Sequence, residues 1–472
     1  MKKYLISVLA FISPLKATMD PLVSKEIIFA RSFLWTRPGY QQLALHQALW
    51  HNPLLDFSRK GAFLIAPFYQ RSMNPQDIKT FFLPPNEPAL KVSNTALDRD
   101  MLAFWLGLPD NFSGNFTIAP RQQQAGFLVE FRYMIGDFLD IPFLENSWVD
   151  VQAPITEVRN NMNLAQWNVQ NAAPSTTPVN NIITAFDNPA WEYSKIGGSM
   201  KKLGLSELRF AVGTTYFSTN RGYAATYSAI SLPTSAKYNG EYMFSPQIGY
   251  NGHVGIIWGM LLEVPFTRPG CRDKLTFQLS MENIWTIRNH QYRTLDIQGK
   301  PWSRFLLFRK QFQAEDVLIP GVNVMTQKVR VSPHSVLEFS AGLRGTLENG
   351  FQGEVGYNLW GFGGDSIKLT SSWTGQYGIA GTEPNTTANG STLRYRAPND
   401  LEFRAIKLTE LDLNTAAMPS ALIQRFYASL GFIKKTDRCD AIVGVGGSMD
   451  IPQNKTKALA TWNLWFTAGG DF

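Results

Sequence analysis

Over its last fifteen residues, "ALATWNLWFTAGGDF", the chain alternates apolar and polar positions. Phe472, Ala468, Phe466, Leu464 and Trp462 share one face, and Asp471, Thr467, Asn463 and Thr461 fall on the other. A period of two predicts a strand, and one longer than the roughly 5–6 residues usual in soluble sheets. The pattern recurs. Leu337, Phe339, Ala341 and Leu343 oppose Glu338, Ser340 and Arg344, and Phe351, Val355, Tyr357 and Leu359 oppose Gln352, Glu354 and Asn358. Glu348-Asn349-Gly350 lies between the two runs, so they read as a hairpin with an Asn-Gly turn. Phe127, Val129 and Phe131 against Glu130 and Arg132 repeat it, as do Leu208, Phe210 and Val212 against Glu207 and Arg209, and Leu275, Phe277 and Leu279 against Gln278 and Glu282.

Long two-faced strands need a tall apolar neighbour on one side and water on the other. A sandwich uses shorter strands, whereas a transmembrane barrel needs strands of about 9–11 residues with apolar groups outward. A sheet in lipid must also close, because a free edge leaves backbone groups unpaired. The predicted fold class is therefore all-β, a transmembrane antiparallel β-barrel of about 16 strands (range about 14–18). Toward the N-terminus the expected strands are 61–72, 124–136, 146–158, 191–197, 205–217, 222–232, 241–250 and 253–266. Counting back from Phe472 puts the turns near Asp437, Gly363, Pro333 and Gly270 on the inner, periplasmic side, and the long intervals 289–321 and 376–424 outside, as extracellular loops. In 376–424, Asn414 or Thr415 is placed to cap a short helix that folds inward and narrows the channel.

The first residues, "MKKYLISVLAFISPLKA", place Lys2 and Lys3 before an apolar stretch and small residues near Ala17, the layout of a secretory signal peptide over residues 1–17. This leader, the tandem long hairpins and the final amphipathic strand resemble bacterial outer-membrane β-barrels of the porin-like kind. The resemblance implies a bacterial outer-membrane location, contact with outer-membrane lipid, and an assembly signal read by the barrel-assembly machinery, carried here by Trp462, Leu464, Phe466 and Phe472. The domain plan is then a signal peptide at 1–17, an N-terminal extension or plug at 18–60 and the barrel at 61–472.

Composition adds exclusions. Aromatics at 13% and charged residues at 17% suit strands, and a net charge of +7 without a basic run argues against nucleic acid as a partner. Cys271 and Cys439 sit in turn-like contexts about six strands apart, which argues against a bridge between them. No catalytic motif, metal-ligand spacing or phosphate-cradling loop is present, so the expectation is no enzyme, no cofactor and no metal. The productive charges are those on the inward faces: Glu130, Arg132, Glu207, Arg209, Glu263, Glu282, Glu338, Arg344, Glu354 and Lys368. Mixed signs favour a transverse field or mutual pairing over a single-sign filter. The function expected is passive diffusion of small hydrophilic solutes through a wet, porin-like channel, with a homo-oligomer allowed. The alternatives are a gated uptake channel for hydrophobic compounds with residues 18–60 as its plug, or a structural or adhesive surface protein.

Overall fold

The computed structural model describes residues 30–41 and 60–472 except 85–86, 97, 137–144, 220–221, 269–270, 313–316, 381–404 and 437–438. The expected signal peptide and most of 18–60 lie outside the described residues. Twelve long strands form one antiparallel ring in sequence order. They are β1 (Gly61–Ser72), β2 (Arg121–Met134), β3 (Ser147–Asn161), β4 (Glu207–Thr219), β5 (Gly222–Pro233) and β6 (Gly255–Pro265). The second half is β7 (Lys274–Thr286), β8 (Val336–Thr346), β9 (Phe351–Phe362), β10 (Ala421–Lys434), β11 (Ala441–Pro452) and β12 (Thr461–Asp471). The ring closes where β1 pairs β12, from Ala62 opposite Asp471 to Ser72 opposite Thr461. Phe472 continues that seam by exchanging backbone hydrogen bonds with Gly61 at 2.8 and 3.0 Å.

The alternation maps onto the two faces of the wall. Phe63, Ile65, Val129, Val212, Leu343, Val355, Val445, Leu464 and Phe466 point outward and are exposed, a continuous apolar band. Their sequence neighbours Leu64, Leu128, Glu130, Glu354, Trp465 and Thr467 point inward and are buried. Large inward rings lie flat against glycines directly across from them. Tyr227 faces Gly259 and Tyr427 faces Gly356, and a Cβ at either glycine would meet the ring at 2.0 and 2.3 Å respectively. Trp148 over Gly213 and Trp465 over Gly446 repeat the device. Glycine is required at these positions by close approach, and the covered strand keeps its ladder.

The ring is smaller than the sequence pattern suggests. The segments 191–197, 241–250, 321–332 and 366–376 are not wall strands; they belong to the connections at one rim. Those connections are long, spanning 73–120, 162–206, 234–254, 287–335 and 363–420, and with the short 453–460 they share that rim. The opposite rim carries 135–146, 220–221, 266–273, 347–350 and 435–440. The expected turns at Pro333 and Gly363 required 321–332 and 366–376 to cross as two further strands, which they do not. Pro333 and Gly363 lie at the long-connection rim; Gly270 and Asp437 lie outside the described residues.

The long connections fold over the ring as a cap with its own core. Helix α1 (Pro75–Phe82) and two three-stranded sheets contribute to it, one of Leu90–Ser93, Ser113–Thr117 and Ala165–Gln170, the other of Asn289–Thr294, Thr326–Ser332 and Ser366–Leu369. Phe116, Phe186, Trp191, Trp302 and Phe305 pack ring to ring with centroids 4.9–6.1 Å apart. Val329, Val331 and Ile367, which alternate with polar neighbours as wall residues do, are buried in this core. A strand half-buried against a protein core carries the same period as one half-buried against lipid.

Candidate functional site

Residues 30–41 descend from the cap into the ring. At the top, Arg304 donates to the Ala30 carbonyl at 2.6 Å, and Ser32 donates from its backbone to Thr415 at 2.9 Å and from its hydroxyl to Thr294 at 2.6 Å. Trp35 then packs against Phe362, Trp360 and Tyr250, with centroids 5.1, 5.7 and 6.0 Å away, and donates to the Gly249 carbonyl. Below it Arg37 reaches the wall. Its Nη2 donates to Glu338 at 2.5 Å, and both terminal nitrogens lie 3.3 Å from Asn358 Oδ1. Pro38 to Gln41 form a turn closed by a 3.1 Å backbone bond, which brings Gly39 against Gln124 at 2.8 Å and Tyr40 against Phe68. Tyr40 joins an apolar strip of the inner wall made by Leu64, Ala66, Phe68, Leu128 and Trp465.

The inward charges form paired layers around this segment. Toward the short-connection rim, Arg132 donates to Asp150 at 3.1 Å and to Glu130 at 3.3 Å, with its guanidinium 4.1 Å from the Trp148 ring centre. Arg344 bonds Glu263 at 2.5 Å, and Tyr427 donates to Glu354 at 2.8 Å. Nearer the cap, Arg209 reaches across two intervening strands to Glu282 at 2.5 and 3.2 Å, and Tyr227 donates to the same carboxylate at 2.7 Å. Ser231 donates to Glu207. Arg425 forks onto Asp450, which also accepts from Thr461 at 2.9 Å. Pairing of this kind is what makes buried charge tolerable, since an ion stripped of water and left alone is strongly unfavourable.

Nine of the ten charges singled out in the sequence thus face the lumen. The tenth, Lys368, does not: it is exposed on the strand Ser366–Leu369 in the cap, opposite Arg330. The C-terminal residues Leu464, Phe466 and Phe472 are exposed on the outer band, and Trp462 packs on Tyr69 at 5.3 Å. Sequence reasoning missed Arg37, Asp150 and Arg425 as lumen groups, and it put Asp450 on the polar face of its strand without counting it among the lumen charges. Arg425 was legible from alternation, and Pro38-Gly39 after Arg37 is a turn signal inside a segment that has no wall period.

Where the segment enters, Phe33, Trp35, Tyr250, His253, Arg293, Phe362 and Asp365 enclose a cavity of about 30 Å³, room for one or two waters. Arg293 lies 3.5 Å from Asp365 and over the Phe33 ring. Burial lowers the Arg293 guanidinium to about 10 and raises the Asp365 carboxyl. Burial also pulls His253 down to about 4. The expected short helix near Asn414 is a single turn, Leu413–Ala416, capped by the Asp412 side chain instead of Asn414 or Thr415, and it packs in the cap, where Ala416 accepts from Arg293. No group of three metal-ligating side chains occurs among the described residues, and both cysteines are exposed and free.

An apolar outer band, a polar inner face and a ring without a free edge meet the demands of a bilayer. The chain is a closed antiparallel β-barrel of the transmembrane type. Among the described residues no helix is long and apolar enough to cross a membrane. No protein-family model and no curated relative matches the barrel's sequence. Among solved structures it is similar to the COG4313 outer membrane channel from Pseudomonas putida F1, at 9% identity over 88% of this chain and 96% of that one, with a TM-score of 0.40. It is also similar to a Pseudomonas aeruginosa FadL homologue, at 9% identity over 94% and 99% with a TM-score of 0.29. The beta domain of the Bordetella autotransporter BrkA follows at 8% identity over 88% and 99%, with a TM-score of 0.31.

Proposed function

We propose that this barrel is a gated outer-membrane channel, held closed by residues 30–41, with its long connections outward and its short ones toward the periplasm. The observation that carries the reading is the seat of Arg37. A charged side chain of the N-terminal segment is buried at 4% exposure among wall residues of the lumen, bonded to Glu338 and Asn358. An unobstructed porin-like lumen would leave its inward charges in water. Here Glu282 and Glu338, in the layer that residues 30–41 reach, are each less than 3% exposed, and the segment is bonded into the lumen beside them, so solute passage through that layer requires the segment to withdraw. Twelve strands also enclose less space than the about 16 at which a barrel holds a standing aqueous channel.

The solute route then runs between a charged wall on β7–β10 and the apolar strip on β1, β2 and β12. That second surface, built by Leu64, Phe68 and Trp465, favours solutes with an apolar part over purely hydrophilic ones. Planar-bilayer recording tests the gate. Replacing residues 30–41 by a Gly/Ser linker is expected to raise single-channel conductance several-fold while heat-modifiable gel migration shows the barrel folded. A folded variant with unchanged conductance would overturn the gating reading.

A further inference from the structure

We propose that the inner wall carries a guanidinium-binding site, built by Glu338, Asn358 and Trp360, which Arg37 occupies when the channel is closed and which a guanidinium-bearing solute competes for. The proposal rests on the gating reading in one respect: the segment must be able to leave the site.

The receptor is assembled by the wall and not by the segment. Glu338 on β8 stands directly opposite Trp360 on β9, and Asn358 is two residues from Trp360 on the same inward face. Asn358 donates through Nδ2 to the Glu338 carboxylate at 2.8 Å, a bond that needs no part of residues 30–41. It turns the amide so that Oδ1 points at the two terminal nitrogens of Arg37, each 3.3 Å away. The carboxylate takes one of the same nitrogens at 2.5 Å, and the Trp360 ring centre lies 5.7 Å from the guanidinium carbon. A planar cation thus meets a carboxylate, an amide oxygen and an aromatic face in one cradle.

Charge explains why the site wants a cation. In the layer nearer the cap the wall sets Glu207, Glu282, Glu338 and Asp450 against Arg209 and Arg425. Arg209 is bonded to Glu282 and Arg425 to Asp450, and among the described residues Arg37 adds a third cation, bonded to Glu338. The preference for guanidinium over ammonium follows from shape. Its flat fork can bond the carboxylate and the amide oxygen together while resting near the indole, and it sheds water more readily than a compact ammonium.

The experiment uses the full chain in detergent micelles, with tryptophan fluorescence reporting binding of methylguanidinium and heat-modifiable migration reporting folding. Arg37→Ala vacates the site, so methylguanidinium should bind at least tenfold more tightly to it than to the native protein. Adding Glu338→Gln should remove that gain, and methylammonium should bind at least tenfold more weakly. Equal binding to Arg37→Ala and to the double variant overturns the proposal, as does equal binding of the two cations. Should Arg37→Ala not fold, Arg37→Lys is titrated instead: methylguanidinium should displace the non-forking ammonium several-fold more readily than it displaces arginine, and equality overturns the site. Binding is read without conductance, so the two readings fail separately. Glu338-dependent binding in a barrel whose conductance ignores residues 30–41 sinks the gate and keeps the site; a several-fold conductance rise with no such binding does the reverse.

Discussion

Glu282 and Glu338 stand directly opposite each other on neighbouring strands β7 and β8, two carboxylates facing the same buried space. Like charges so placed repel, and each is answered from a different direction. Arg209 comes to Glu282 from the wall, and Arg37 comes to Glu338 from the N-terminal segment. The acidic pair therefore ties the segment to the ring: without it, one glutamate of the two loses the cation bonded to it.

Arg37→Ala is expected to destabilise the closed barrel by about 3–5 kcal/mol, the range for removing one partner of a buried pair. Arg37→Met with Glu338→Leu removes both charges and should recover most of that loss. Urea unfolding in lipid vesicles, followed by tryptophan fluorescence, measures both. A double variant as unstable as the single one would show that the pair is not the source.

On the outer band, Val355→Arg and Leu343→Arg should each cost about 2–4 kcal/mol, since both side chains point to the lipid. Val355→Ala keeps the face apolar and should cost less, up to about 1.6 kcal/mol for the two carbons removed. The inward Ser340 is fully buried, so arginine there must displace the packed lumen and should destabilise as well. The same unfolding assay applies, and equal effects of Arg and Ala at Val355 would contradict a lipid-facing band.

Gly356→Val should destabilise the ring by about 1–3 kcal/mol, because its Cβ would fall 2.3 Å from the Tyr427 ring, which also holds Glu354. Adding Tyr427→Ala opens the space. The valine should then cost less on that background than on the native one, and an unchanged cost would rule out the ring contact as its cause.

Acid should loosen the cap through His253. Gln291 donates to its Nε2 at 3.1 Å while Nδ1 donates to the Ile287 carbonyl at 2.8 Å, so the buried ring has no room for a second proton. Burial first, then the nearby Arg293 and Lys237, hold the group at about 4 against an ordinary 6.5. The unfolded chain therefore takes up a proton between pH 6.5 and 4 that the folded one refuses, and stability falls as pH falls through that window. The slope is about 1.4 kcal/mol per pH unit, roughly 3 kcal/mol in all. His253→Gln should flatten the thermal stability curve over this range, and an equally steep curve would place the proton elsewhere.

Alternation along the chain was enough to establish strands, to name which residue of each pair faces outward, and to put Glu130, Arg132, Glu207, Arg209, Glu282, Glu338, Arg344 and Glu354 together on the inner side. That information is local, because side-chain direction flips with every residue whatever the strand packs against. Ring size is not local. Thr326–Ser332 and Ser366–Leu369 alternate as cleanly as wall strands, yet they bury their apolar side on the protein core of the cap, and a period of two does not distinguish that core from lipid. The segment carrying Arg37 has no wall period at all, and its partners Glu338 and Asn358 lie about 300 residues along the chain. The β8–β9 hairpin already sets Asn358 beside Glu338, but only the closed ring around the segment brings Arg37 to them, so the occupied lumen belongs to the tertiary structure while its charges belong to the sequence.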